Sequence, residues 1–247
     1  MRTLRDEAIP FLVGGAYAFG RYTAIERATK DFDVFLRAAD VPRALGALSA
    51  AGSRTDLTFP HWLAKACLGP DFVDIIFSSG NGRAAVDDAW FVHAADAEIL
   101  GEPVQIAPPE EMIWSKSFVM ERERFDGADI MHLLRSCART LDWPRLVARF
   151  GDDWRVLLSH LVLFGFVYPG ERTAVPPSVI DGLLARLGPE LSADADGAAR
   201  CGGTVLSRSQ YLTDVRHWGY VDGRLRPFGA MTAGQIDRWT AAIDDPP

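Results

Sequence analysis

The pattern of apolar and polar positions changes character once along this chain. Up to about residue 107 it consists of short apolar runs cut by glycine and proline, the mark of strands joined by tight turns. Beyond that point strand signals almost vanish and apolar residues recur at helical spacing. Arg2 to Ile9 reads as a short leading helix ended by Pro10. Phe11 to Val13 is expected as a first strand, Ala16 to Tyr22 as the helix after Gly14-Gly15, and Asp33 to Leu36 as a second strand. Val41 to Ala51 has helical periodicity, with Pro42 in its first turn and Gly52 closing it. Trp62 to Leu68 and Phe72 to Phe77, separated by Gly69-Pro70, predict a hairpin whose second arm is apolar except for Asp74. Ile99 to Ile106 predicts a last small hairpin.

In the second half, Pro108-Pro109-Glu110 opens a helix expected to run to Phe125. Asp126 is placed to cap the next, with Asp129 at N3 as an imperfect capping box. Leu146 to Phe150, Asp152 to Val167 and Pro177 to Leu187 read as further helices, and Leu191 to Gly203, rich in Ala, Asp and Gly, as a mobile loop. Ser207 to Trp218 and Thr232 to Ile243 complete the helical set. The expected class is α+β. A small mixed β-sheet core packed by helices fills residues 1–107, and a mostly helical domain over 108–247 closes its cleft.

Composition narrows the class of protein. At 48% hydrophobic and 24% charged, an ordinary soluble globular chain is expected. No run approaches the about 18 apolar residues that cross a bilayer, so no membrane is expected as a partner. The opening MRTLRDEAIP lacks the apolar core of a secretion signal, and Cys67, Cys137 and Cys201 form neither a disulfide framework nor a metal-ligand pattern. A cytoplasmic location is the expectation. The formal charge of −7 argues against a general polyanion binder. Arg135, Arg139, Arg145, Arg149 and Arg155 nevertheless fall within 21 residues, enough for a local basic surface.

The candidate chemistry lies in Phe11 to Leu36. Side chains alternate on a strand, so Asp31 and Asp33 project together while Phe32 and Val34 enter the core. Two carboxylates on one face repel, and a hard divalent cation with oxygen ligands is the usual way to hold them. Gly14-Gly15 at a strand end lets backbone approach a phosphate ahead of a helix N-terminus. Asp74, between Val73 and Ile75, must face solvent at an edge or have a partner. If its strand lies beside that of Asp31 and Asp33, three carboxylates converge. Taken singly, the bland readings stand: a solvated D-x-D, a plain glycine turn, an edge-strand charge.

Taken together, these residues resemble the DNA polymerase β-like nucleotidyltransferase superfamily. The pattern GG…G…R-x-T-K-D-x-D, here Gly14, Gly15, Gly20, Arg27, Thr29, Lys30, Asp31 and Asp33, is most similar to its small bacterial branch. That branch includes antitoxin-neutralised toxins of the AbiEii type and minimal nucleotidyltransferases. The segment Lys116…Glu123-Arg124-Phe125-Asp126-Gly127-Ala128-Asp129 is similar to the branch's helical K…R…D…D, and the likeness covers residues 10 to 135.

The resemblance implies a nucleotidyltransferase core that takes a nucleoside triphosphate, such as ATP, with two Mg2+ ions or Mn2+ in their place. A nucleoside monophosphate would pass to an acceptor hydroxyl, with pyrophosphate leaving. It implies nucleotide contacts at Gly14, Gly15, Arg27, Thr29 and Lys116, metal-binding roles for Asp31, Asp33 and Asp74, and support of the nucleophile by Asp74. The acceptor stays open between a small hydroxylated molecule, RNA such as a tRNA end, and protein. The toxin-like relatives imply a cognate antitoxin as partner. Two other classes are set against this. A D-x-D phosphatase would use Asp31 as nucleophile, but Val34-Phe35 follows where a small hydroxyl residue is usual. A catalytically degenerate domain used for binding, or as a toxin-antitoxin module, needs no intact acids, yet all three are present.

Overall fold

A computed structural model describes residues 1–192 and 199–242. In chain order its elements begin α1 (Arg2–Asp6), β1 (Leu12–Val13), α2 (Gly15–Thr23), β2 (Asp31–Phe35), α3 (Val41–Ala50), β3 (Arg54–Phe59), β4 (Leu63–Leu68) and β5 (Asp71–Ile76). Then come α4 (Asp88–Val92), β6 (Ala95–Ile99), β7 (Glu102–Ile106), α5 (Pro109–Lys116), α6 (Gly127–Cys137), α7 (Trp143–Phe150), α8 (Trp154–Val167) and α9 (Pro177–Ser192). The chain continues through β8 (Arg200–Cys201), α10 (Gly203–Leu206), α11 (Leu212–Arg216), β9 (Val221–Asp222) and α12 (Ala233–Ala241). The class is α+β, with a mixed sheet packed by helices and a helical C-terminal region. The chain divides into two units. One holds Met1–Pro108 with the described residues from Arg224 onward, and the other is Pro109–Gly223.

The first unit is built on a seven-stranded sheet of order β3-β4-β5-β2-β1-β7-β6. The β4–β5 hairpin turns at Gly69-Pro70 as its sequence requires, and β5 then pairs parallel with β2. One face of these strands is apolar. Val34, Leu36, Ala64, Ala66, Ile75 and Phe77 pack there with Val41 and Ala44 of α3 and Leu4 of α1. Period-two alternation leaves the other face to Asp31, Asp33, Asp74 and Lys65. Strand β3 was invisible in the sequence because its side chains, Arg54 to Phe59, are mostly polar and half or fully exposed at the sheet edge. Residues from Arg224 onward, expected in the helical domain, return to this unit. Trp239 of α12 meets the rings of Phe59 at 5.0 Å and Trp62 at 5.1 Å, and Thr232 with Gln235 forms a complete capping box.

The second unit has its own core. On α6, Ile130, Leu133, Leu134 and Cys137 repeat at helical spacing and are buried, as are Trp154, Leu157, Leu161 and Phe164 on α8. The helix expected from Pro109 to Phe125 stops at Lys116. Ser117 Oγ donates back to the Ile113 carbonyl at 2.7 Å, and the chain then reverses, with Asp126 N–H on the Val119 carbonyl and Glu121 N–H on the Arg124 carbonyl. The helix expected over Ser207 to Trp218 shrinks to α11, because the Ser207 hydroxyl accepts from Gln210 N–H and sets a turn. The loop expected over Leu191 to Gly203 falls mainly on 193–198, outside the described residues, as does Ile243. Among the described residues no helix is long and apolar enough to cross a membrane.

Candidate active site

The site grows from one register. Strands β2 and β5 run parallel with Asp33 paired to Asp74 and Asp31 to Phe72. Residues paired across a ladder point to the same face, so Asp33 and Asp74 stand side by side at the strand spacing of about 4.8 Å, with Asp31 roughly 6.6 Å along β2. On the other side of β2, Gly14 N–H donates to the Asp33 carbonyl at 3.0 Å, which brings the start of α2 to the same row.

The two glycines have separate steric reasons. A Cβ on Gly14 would fall 2.0 Å from the Phe35 ring, which stacks on Trp90 at 5.0 Å. A Cβ on Gly15 would fall 1.8 Å from Asp33 Oδ2, and Gly15 also has φ +53°, where side chains are strained. Gly15 opens α2, whose N-terminus favours a negative group. The Asp33 carboxylate is that group in the protein alone.

Asp74 is largely enclosed, its side chain 16% exposed. Burial pushes its carboxyl above its ordinary value; the Lys65 ammonium opposes that rise and the charge of Asp31 adds to it. Lys65 sits on β4 directly opposite, Nζ 3.5 Å from Asp74 Oδ1, and that buried oxygen accepts no hydrogen bond. Asp31 is exposed at the strand start, where Thr29 Oγ1 accepts from its N–H at 3.1 Å.

These side chains suit a divalent cation in donor type, and the orphaned Asp74 oxygen is a ready ligand. They are not gathered around one point. Among the described residues no group of three or more His, Cys, Asp or Glu could hold a metal ion as it stands. The register sets Asp33 beside Asp74 with Asp31 on the same face, without closing the three around one point. Lys65 draws Asp74 toward β4.

Other expected contacts stand elsewhere. Arg27 lies with its guanidinium 4.4 Å from the Phe19 ring centroid, and the Thr29 hydroxyl is engaged with the Asp31 backbone. Lys116 belongs to the second unit, where Nζ pairs with Asp126 at 3.0 Å and Asp129 at 2.8 Å. Asp126 makes no side-chain cap on α6, contrary to expectation. Burial would raise its carboxyl, but Arg124 and Lys116 hold it below its ordinary value. The arginine series does not form one basic face. Arg145 pairs with Glu110 and Glu111, Arg149 reaches Glu111 at 3.1 Å, and both side chains are only 14% exposed.

Sequence reasoning missed Lys65. The alternation of its strand, with Ala64 and Ala66 buried on either side, was the available signal for a side chain on the carboxylate face.

No protein-family model and no curated protein matches this chain. Among solved structures it is similar to the antibiotic-resistance factor ANT(2'')-Ia, at 14% identity over 77% of this chain and 88% of that one, with a TM-score of 0.38. It is similar to the lincosamide antibiotic adenylyltransferase LnuA, at 12% identity over 53% of this chain and 90% of that one, TM-score 0.39. It is also similar to an antigenic nucleotidyltransferase-like protein from Paracoccidioides brasiliensis, at 13% identity over 72% and 91%, TM-score 0.44.

Proposed function

We propose that this chain is a Mg2+-dependent nucleotidyltransferase that moves a nucleoside monophosphate from a nucleoside triphosphate to the hydroxyl of a small acceptor, releasing pyrophosphate. One observation carries the reading: the β2–β5 register, with Asp33 opposite Asp74, Asp31 on the same face and Gly15 against Asp33. Asp31, Asp33 and Asp74 are the ligands for the ions. Mg2+, or Mn2+ in its place, supplies when bound the positive charge that an in-line displacement at the α-phosphorus needs. Asp74 takes the proton of the acceptor hydroxyl, a role its raised affinity for a proton suits. The bare Gly14-Gly15 backbone lets the triphosphate approach the N-terminus of α2. Arg27 and Thr29, in the segment leading to Asp31, flank the phosphates, and Lys116 is a further candidate for them. The chain's task is positioning and charge, as in other phosphoryl transfers.

Two facts support a small hydroxylated acceptor over RNA. The chain is acidic, at −7, and the arginines that would have made a basic track include Arg145 and Arg149, engaged with buried glutamates. The test incubates the pure protein with Mg2+, each labelled nucleoside triphosphate in turn, and either a panel of polyhydroxylated small molecules or bulk tRNA. Pyrophosphate release that depends on a small molecule is expected. Label on tRNA would replace the acceptor class, and no transfer from any nucleotide would overturn the activity.

A further inference from the structure

The carboxylate face continues beyond the three acids. In register across four strands run Asp56 of β3, Lys65 of β4, Asp74 of β5 and Asp33 of β2. Lys65 thus has an acid opposite it on either side. Its Nζ lies 3.5 Å from Asp74 Oδ1 and 4.8 Å from the centroid of the Phe72 ring, and its side chain is 25% exposed against 16% for Asp74. Asp56 is exposed, with one carboxylate oxygen accepting from Thr58 Oγ1 at 2.7 Å.

Residue choice sharpens the point. The chain holds 23 arginines and three lysines, Lys30, Lys65 and Lys116. Beside the acid that must be free to act, it uses the rarer cation. An ammonium is a compact point charge on a flexible stem, which can leave a carboxylate without undoing a fixed fork. A guanidinium would grip Asp74 through two parallel hydrogen bonds.

We propose that Lys65 is a resident counter-cation: it neutralises Asp74 in the metal-free protein and yields that carboxylate when a divalent cation binds, its own charge passing to Asp56. This rests on the nucleotidyltransferase reading of the same face. An ammonium and a divalent ion compete for Asp74, because the repulsion between the two cations at that range offsets the attraction of either to the one carboxylate. Lys65 thereby offsets part of the repulsion among three neighbouring acids before the ion arrives, and weakens the ion's hold so that it exchanges.

The test is calorimetric titration of the full chain with Mg2+ alone, without nucleotide. Lys65→Met should bind Mg2+ about tenfold more tightly than wild type, and Lys65→Arg about tenfold more weakly. Equal or weaker binding by Lys65→Met overturns the proposal and leaves the function standing. Asp33→Asn serves as the control on the face itself: if it binds Mg2+ as wild type does, the metal-face reading fails and this proposal with it. Lysine acetylation of wild type, read by mass spectrometry, gives an answer that needs no variant to fold. Mg2+ should speed acetylation of Lys65 severalfold, and an unchanged Lys65 rate overturns the proposal.

Discussion

Gly15 lies so close to Asp33 that a methyl group on its Cα would stand 1.8 Å from the carboxylate oxygen Oδ2. Its φ of +53° adds a second demand for glycine at the same residue. Gly15→Ala should therefore cost about 1–2 kcal/mol for the backbone conformation alone. It should also displace the Asp33 carboxylate, so that transfer falls more than stability does. Thermal melts and initial rates on one preparation check both parts, and wild-type turnover in a well-folded variant would contradict the second.

The buried His160 predicts a pH dependence in the second unit. Burial lowers its affinity for a proton, and the Ser117 carbonyl at 3.0 Å from Nε2 partly offsets this. The unfolded chain takes up that proton near the ordinary histidine value of about 6.5. The unfolded state thus binds more protons below that pH, and linkage makes the fold lose stability as pH falls through about 6.5 toward the lower folded value. Melting temperatures from pH 8 to pH 5 should drop more for wild type than for His160→Gln. Parallel curves would show that His160 is not the group responsible.

Lys116 predicts a loss of stability. Removing it as Lys116→Met takes the ammonium away from two nearly buried carboxylates, Asp126 and Asp129, at a cost on the order of 3 kcal/mol. Denaturant melts should show this directly. A variant of unchanged stability with a raised KM for nucleotide would instead assign Lys116 to the phosphates.

What the sequence made legible follows period and punctuation. Asp31 and Asp33 alternate with Phe32 and Val34, and Gly69-Pro70 marks a turn, so β2 and the β4–β5 hairpin could be read directly. Strand β3 could not, since an exposed edge needs no apolar alternation. Nor could partner choice. Asp126 has the composition of a helix cap and spends its carboxylate on Lys116 and Arg124 instead. The five arginines lie close together in sequence, but Glu110 and Glu111, more than thirty residues upstream of Arg145, decide that it is buried. Lys65 was passed over because its significance lies in a neighbour on the next strand.

The most direct test of the carboxylate face compares wild type with Asp33→Asn for pyrophosphate release, with Mg2+, nucleoside triphosphate and the accepting small molecule present. Loss of an ion ligand should lower the rate by about 100-fold. The melting temperature should hold or rise, because one of three neighbouring negative charges is gone. A rate equal to wild type in the folded variant would contradict the account.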